Sequence, residues 1–145
     1  MANDEGCRQG PRVAFTAKMK IDDSYPKSSG VLKFADVVIN EGGGYNPDTG
    51  IFTCPVRGFY NFIVHMTVYG KGQCAIFKNG EKVVSMSHVN HPDQLSYNSS
   101  QVASMSGLVK LYEKDDVWVN LNGQGQLDIF ATEDNETSFT GFYVM

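Results

Sequence analysis

No stretch of this chain approaches the roughly 20 consecutive apolar residues that a membrane-spanning helix needs. Met1 to Cys7 holds no apolar segment of the kind a signal peptide carries. Bilayer insertion is not expected, and the start reads either as that of a mature chain or as that of one outside the secretory path. Positive charge is also scarce: 12 Lys and Arg stand against 16 Asp and Glu, for a net charge of -4. Scattered in this way they form no basic stripe to neutralise phosphates, so nucleic acid is not an expected partner. Internal repeats and low-complexity segments are missing, as is any Gly-X-Y tract. So are the signatures of common enzymes: no Gly-x-Ser-x-Gly elbow, no His-Glu-x-x-His, and no phosphate loop, since Gly42-Gly43-Gly44 opens no helix. The expected protein is not an enzyme.

Histidines number only three, His65, His88 and His91. His65 sits inside a strand pattern and reads as structural. His88 and His91 offer two imidazoles to zinc, but with no nearby cysteine or second pair the ligand set is incomplete. Cysteines also number three, Cys7, Cys54 and Cys74.

What is present is a chain of 145 residues, long enough for one domain with its own core. Residues 1–10 read as a flexible tail and 11–145 as the globular domain. With 41% apolar residues, nine Phe, seven Tyr and 15 Gly, the composition favours strands punctuated by turns. Period-2 alternation recurs throughout. Val13, Phe15, Ala17, Met19 and Ile21 share one face of a first strand. Val31 to Ile39 reads as one short extended piece, Asn46 to Gly50 as a turn by residue chemistry, and Asn79-Gly80 as a two-residue hairpin loop. Tyr60, Phe62, Val64, Met66 and Val68 form the longest inward row, and the other side of the same strand carries Phe59, Ile63 and Tyr69. A strand apolar on both faces in so small a chain implies that a partner subunit covers its second face, which makes Phe59, Ile63 and Tyr69 the candidate interface. Many short strands joined by turns point to a sandwich or barrel.

One spaced pattern goes further. Phe34, Asn40, Tyr45, Phe52, Gly58, Tyr60 and Phe62 follow one another at fixed intervals, with Val64 at the next step. This ladder resembles the signature of the globular head domain of complement C1q, within the tumour-necrosis-factor-like superfamily, except that the family has an aromatic residue where Val64 stands. Val13-Ala14-Phe15, Lys78-Asn79-Gly80, Asp115-Asp116-Val117-Trp118 and Ser138 to Phe142 extend the likeness over nearly the whole chain. The resemblance implies an all-β jelly-roll sandwich of about ten antiparallel strands, closed into a homotrimer. It implies a secreted, extracellular, non-enzymatic recognition protein of the free-standing kind, with lectin-like binding of microbial or other surface glycans in innate immunity. The alternatives are a cytokine-like or synaptic-organiser trimer that binds a protein receptor, or a calcium-binding matrix protein.

Family members with a head-domain disulfide place it at points similar to Cys54 and Cys74, which implies that bridge here, with Cys7 outside it. Some members hold calcium near the trimer axis through an Asp just before a strand beginning Ala-Ser. Here Gln101-Val102 precedes Ala103-Ser104, so that carboxylate is missing. Asp128 with Glu133 to Glu136 is the alternative acidic group, and calcium is the one cofactor that remains a candidate.

If each connection reverses direction, the long polar segments 22–30, 70–72, 88–100 and 122–136 gather at one end and the short turns at the other. A scaffold that presents its long loops on one side is built for recognition. The candidate ligand residues there are His88, His91, Tyr97, Gln101, Asp128 and Glu133. The sequons at Asn98 and Asn135 are candidate glycosylation sites, consistent with secretion.

Overall fold

The computed structural model describes residues 10–20, 30–69, 72–88, 101–122, 128–130 and 137–145. In chain order its strands are β1 (Ala14–Lys18), β2 (Gly30–Val31), β3 (Asp36–Glu41), β4 (Tyr45–Asn46), β5 (Ile51–Thr53), β6 (Gly58–Tyr69), β7 (Gly72–Lys78), β8 (Glu81–His88), β9 (Gln101–Leu111), β10 (Asp116–Asn122), β11 (Asp128–Phe130) and β12 (Ser138–Tyr143). They form two six-stranded antiparallel sheets, and no helix occurs among the described residues. In the first sheet β6 is central. β9 pairs along one of its edges, β12 and β11 along the other, and β1 and β3 follow β12. The second runs β4-β5-β10-β7-β8, with β2 also against β10. The first and last long strands are neighbours, and the intervening chain passes between the sheets: this is the jelly-roll sandwich. Strands exceed the expected ten because β2 and β4 are only two residues long and β11 lies inside a segment read as loop.

The core follows the alternation in the sequence. Tyr60, Phe62, Val64, Met66 and Val68 are all fully buried. Val64 thus fills the signature's last aromatic position as an inward apolar residue. At the centre Phe15 stacks on Tyr45 with ring centroids 4.7 Å apart and meets Phe139 edge-on at 4.9 Å. Phe52 and Phe62 complete the cluster. These offset and T-shaped arrangements suit the ring quadrupoles.

The signature also does backbone work. The Tyr45 hydroxyl donates to the Phe34 carbonyl at 2.9 Å and accepts from the Phe34 N–H at 3.0 Å. Burial pushes the Tyr45 phenol up to about 12, only partly offset by the bond from Phe34. Asn40 spans Tyr45 in the same way, its Nδ2 donating to the Tyr45 carbonyl at 2.7 Å and its Oδ1 accepting from the Tyr45 N–H at 3.2 Å. A side chain at Gly58 would run into the Tyr143 ring.

These bonds explain a difference from the expected single extended piece over Val31 to Ile39. Its two ends lie in different sheets: β2 pairs with β10, whereas β3 pairs with β1. Between them Leu32 and Phe34 are buried, and Phe34 satisfies its backbone on a tyrosine hydroxyl instead of a neighbouring strand. The hairpin at Asn79-Gly80 forms as expected, with φ of 49° and 89°, the positive pair that a type I′ turn requires.

The expected Cys54–Cys74 bridge does not form. Both residues are buried free thiols. Cys54 N–H bonds the Asp115 carbonyl at one end of β10, while Cys74 pairs with Leu121 near the other. Six residues of strand separate those levels by about 20 Å, against the roughly 7 Å between Cα atoms that a disulfide tolerates. The strands do share a sheet, but their cysteines enter it from opposite ends. Burial raises both thiols, Cys74 to about 12, and the Cys54 Sγ donates to the Val56 carbonyl at 3.1 Å.

Candidate functional site

The sandwich has two ends, which differ in construction. At the near end three turns are tied together. The Asp115 carboxylate accepts from the Tyr112 N–H at 2.8 Å and from Asn79 Nδ2 at 3.0 Å, with Lys78 Nζ 3.9 Å away. These donors hold the carboxyl below the usual range. Asn79 in turn accepts from the Asp116 N–H at 2.9 Å, and the Thr53 hydroxyl donates to Asp116 at 2.7 Å. Both the amide nitrogen and the amide oxygen of the Asn79 side chain are thus used internally.

At the far end, β6, β8 and β10 finish while β7, β9 and β11 begin. The register places Gln101 opposite Val68 and Asp128 opposite Tyr69, on the two flanks of β6. His88 pairs with Gly72 at the end of β8 in the other sheet. His88, Gln101 and Asp128 are therefore strand termini, where the sequence placed them in loops. His91, Tyr97, Asn98, Glu133, Asn135 and Cys7 lie outside the described residues. Among the described residues no group of three His, Cys, Asp or Glu side chains is placed to hold a metal, and no helix is long and apolar enough to cross a membrane.

A second surface is the outer face of the first sheet. The register lays out its rows: Ser106, Ile63, Thr140, Thr16 and Ile39 run side by side across β9, β6, β12, β1 and β3. The Thr16 and Thr140 hydroxyls meet at 2.9 Å. One level nearer the short turns, Leu108, Asn61, Phe142, Ala14 and Glu41 form the next row. Phe59 is 37% exposed, Ile39 48% and Leu108 57%. Ile63 is half-buried, and Tyr69 closes the same strand by backbone register with Asp128. His65 is exposed in a row with Ser104 and Ser138.

This fold, with its signature residues knotted into the crossover, is matched in the comparisons with known proteins. The family model described as "C1q domain" matches residues 14–144. The chain belongs to the C1q domain family. Complement C1q tumor necrosis factor-related protein 5 of Homo sapiens is 38% identical to this C1q domain over 141 residues, covering 95% of the chain and 56% of that protein. Complement C1q and tumor necrosis factor-related protein 9 of Mus musculus is 37% identical over 135 residues, covering 91% of the chain and 38% of that protein. The chain thus spans about half or less of these relatives' length. The solved globular domain of zebrafish complement 1qA shares the fold at a TM-score of 0.71 and 22% identity, covering 93% of this chain and 98% of that one.

Sequence reasoning found Ile63 and Phe59 through the doubly apolar strand. It missed Leu108, Ile39 and Ala14 as members of the same face, because they come from three other strands. The signal was available for Leu108 and for Ala14, since the inward rows Ala103, Met105, Val109 and Leu111 and Val13, Phe15 and Ala17 leave them pointing out.

Proposed function

We propose that this C1q domain is a secreted, non-enzymatic recognition or signalling module that works as a homotrimer and engages its target through the far, loop-bearing end. The observation carrying the proposal is the division of labour between the ends in a family member: the near end is closed on itself by Asp115, Asn79 and Asp116. The far end gathers His88, Gln101 and Asp128 at its strand termini. The trimer would be built on Phe59, Ile63 and Tyr69. Three copies of a weak site then act together on a repetitive surface.

The first target class is a surface glycan, bound in lectin-like fashion at His88, His91, Tyr97, Gln101, Asp128 and Glu133, with calcium as a candidate cofactor. A protein receptor is the second reading, favoured by the names of the relatives, both of which are tumor necrosis factor-related. A glycan array run beside a receptor pull-down with the trimeric protein separates them. Binding to neither, by a protein whose light scattering confirms a trimer, overturns the recognition reading.

A further inference from the structure

The outer face of the second sheet carries the chain's single tryptophan. Along β10 the buried Val117, Val119 and Leu121 alternate with Asp116, Trp118 and Asn120, which form an outward row. Its members stand about 7 Å apart, two strand rises. Trp118 and its register partner Phe77 are both partly exposed, with rings 8° from parallel. The polar groups on either side of the indole keep hydrogen-bonding capacity. Asp116 commits Oδ1 to the Thr53 hydroxyl, and the Asn120 amide makes only a long contact of 3.5 Å from its Nδ2 to the Leu121 carbonyl. Positive charge is not in excess on this sheet and its turns: Lys33, Lys78 and Lys82 stand against Asp48, Glu81 and Asp116. Lys78 is already held by Asp115, and Lys82 by the Gln73 amide.

We propose that this row is a stacking site for an uncharged glycan, with the indole of Trp118 under the C–H face of a pyranose and Asp116 and Asn120 hydrogen-bonded to its hydroxyls. The proposal takes the glycan arm of the reading above and places a sugar on residues that reading does not use. A pyranose is apolar on its ring face and polar at its rim, so it is matched by an aromatic plane flanked by polar groups. A carboxylate accepts from hydroxyls, and an amide both accepts and donates. The charge balance chooses among sugars: a sulfated or carboxylated chain would meet Asp116 beside the stacking ring, whereas an uncharged one meets only hydrogen-bonding partners. A trimer built on the outer face of the first sheet leaves this opposite face open in all three copies, where weak sites act together on a repetitive surface.

Because Trp118 is the only tryptophan, its emission reports on this row. The trimeric full chain is titrated with soluble mannan and soluble β-glucan, which are uncharged, and with heparin and hyaluronan, which are sulfated and carboxylated. At least one uncharged polysaccharide should change the emission saturably and protect the indole from acrylamide quenching, and the charged pair should do neither. Asn120→Ala should weaken that binding roughly tenfold at an unchanged melting temperature. Trp118→Leu, which keeps an apolar cover over Phe77, should weaken capture on the immobilised polysaccharide to a similar extent. Binding that leaves the emission unchanged, and that is lost in His91→Ala with Tyr97→Ala but kept in Asn120→Ala, overturns this site and leaves the far-end reading standing. A response to heparin or hyaluronan without one to the uncharged pair overturns the assignment to an uncharged sugar. Binding to none of the four overturns this site together with the glycan reading.

Discussion

The two outer faces of this sandwich treat apolar surface differently. On the second sheet the two large aromatic rings meet each other, although Val31 and Val83 stay exposed. Trp118 and Phe77 are register partners whose rings stack at 6.1 Å and 8°, and polar groups around them pair within the subunit, as Lys82 does with Gln73 at 3.2 Å. On the first sheet Ile39, Phe59, Ile63 and Leu108 are spread over three strands among Ser and Thr, and part of each remains uncovered. A face that closes on itself is finished as a monomer. One that presents dispersed apolar side chains on a flat, weakly charged ground is finished by a partner.

The comparison is broken most severely by a charge on the unfinished face. Ile63→Asp should abolish the trimer, because a carboxylate buried at an interface without a counter-ion costs about 3–5 kcal/mol. Ser85→Asp on the exposed second face should leave it intact. Light scattering on both variants reads the difference directly, and equal behaviour would erase the distinction between the faces.

Beneath both faces the crossover that joins the sheets depends on one hydroxyl. Tyr45→Phe removes a donor and an acceptor together and strands the Phe34 N–H and C=O, which the fold buries. Each such orphan costs about 1–3 kcal/mol. With two orphans, urea unfolding should show a loss of about 2–6 kcal/mol with no change in ring packing, since the Phe15 stack needs only the ring.

The finished face is tested by Trp118→Ala. Uncovering Phe77 should lower the stability of the fold by about 1–2 kcal/mol, from the lost stack and area, while the association constant stays put. A change in association without loss of stability would show that this face is also an interface.

The smallest effect is at the near end. The folded Asp115 carboxyl lies below its ordinary value of 3.8, chiefly through the Tyr112 N–H and then Asn79. Its folded form binds protons more weakly than its unfolded form. The stability it contributes is therefore complete above the ordinary carboxylate range and disappears as pH falls through the depressed value. Asp115→Asn should flatten that part of an acid-unfolding curve and leave stability at pH 7 reduced only slightly, because the group is at the surface and its ion pair with Lys78 is long.

Much of this was legible in the sequence. The inward row from Tyr60 to Val68 and the hairpin at Asn79-Gly80 follow from local rules, period 2 and turn chemistry, that need only neighbours in the chain. The C1q signature was legible as spacing, but its work was not. That Tyr45 serves Phe34, or that Asn40 clasps Tyr45, depends on a crossover between sheets that no periodicity reports. Reading Val31 to Ile39 as one extended piece missed that its ends lie in different sheets, for the same reason.

By itself the sequence determined the all-β class, the inward and outward faces of each strand and the family, because these rest on alternation and on residues whose order is fixed along the chain. Tertiary structure alone decided which faces and ends meet. Cys54 and Cys74 lie 20 residues apart in sequence, yet they sit at opposite ends of one sheet, because antiparallel register and not sequence distance sets where a residue falls along a strand. Ala14, Glu41 and Phe142 are far apart in sequence, yet they stand in one row of the outer face that no single segment encodes.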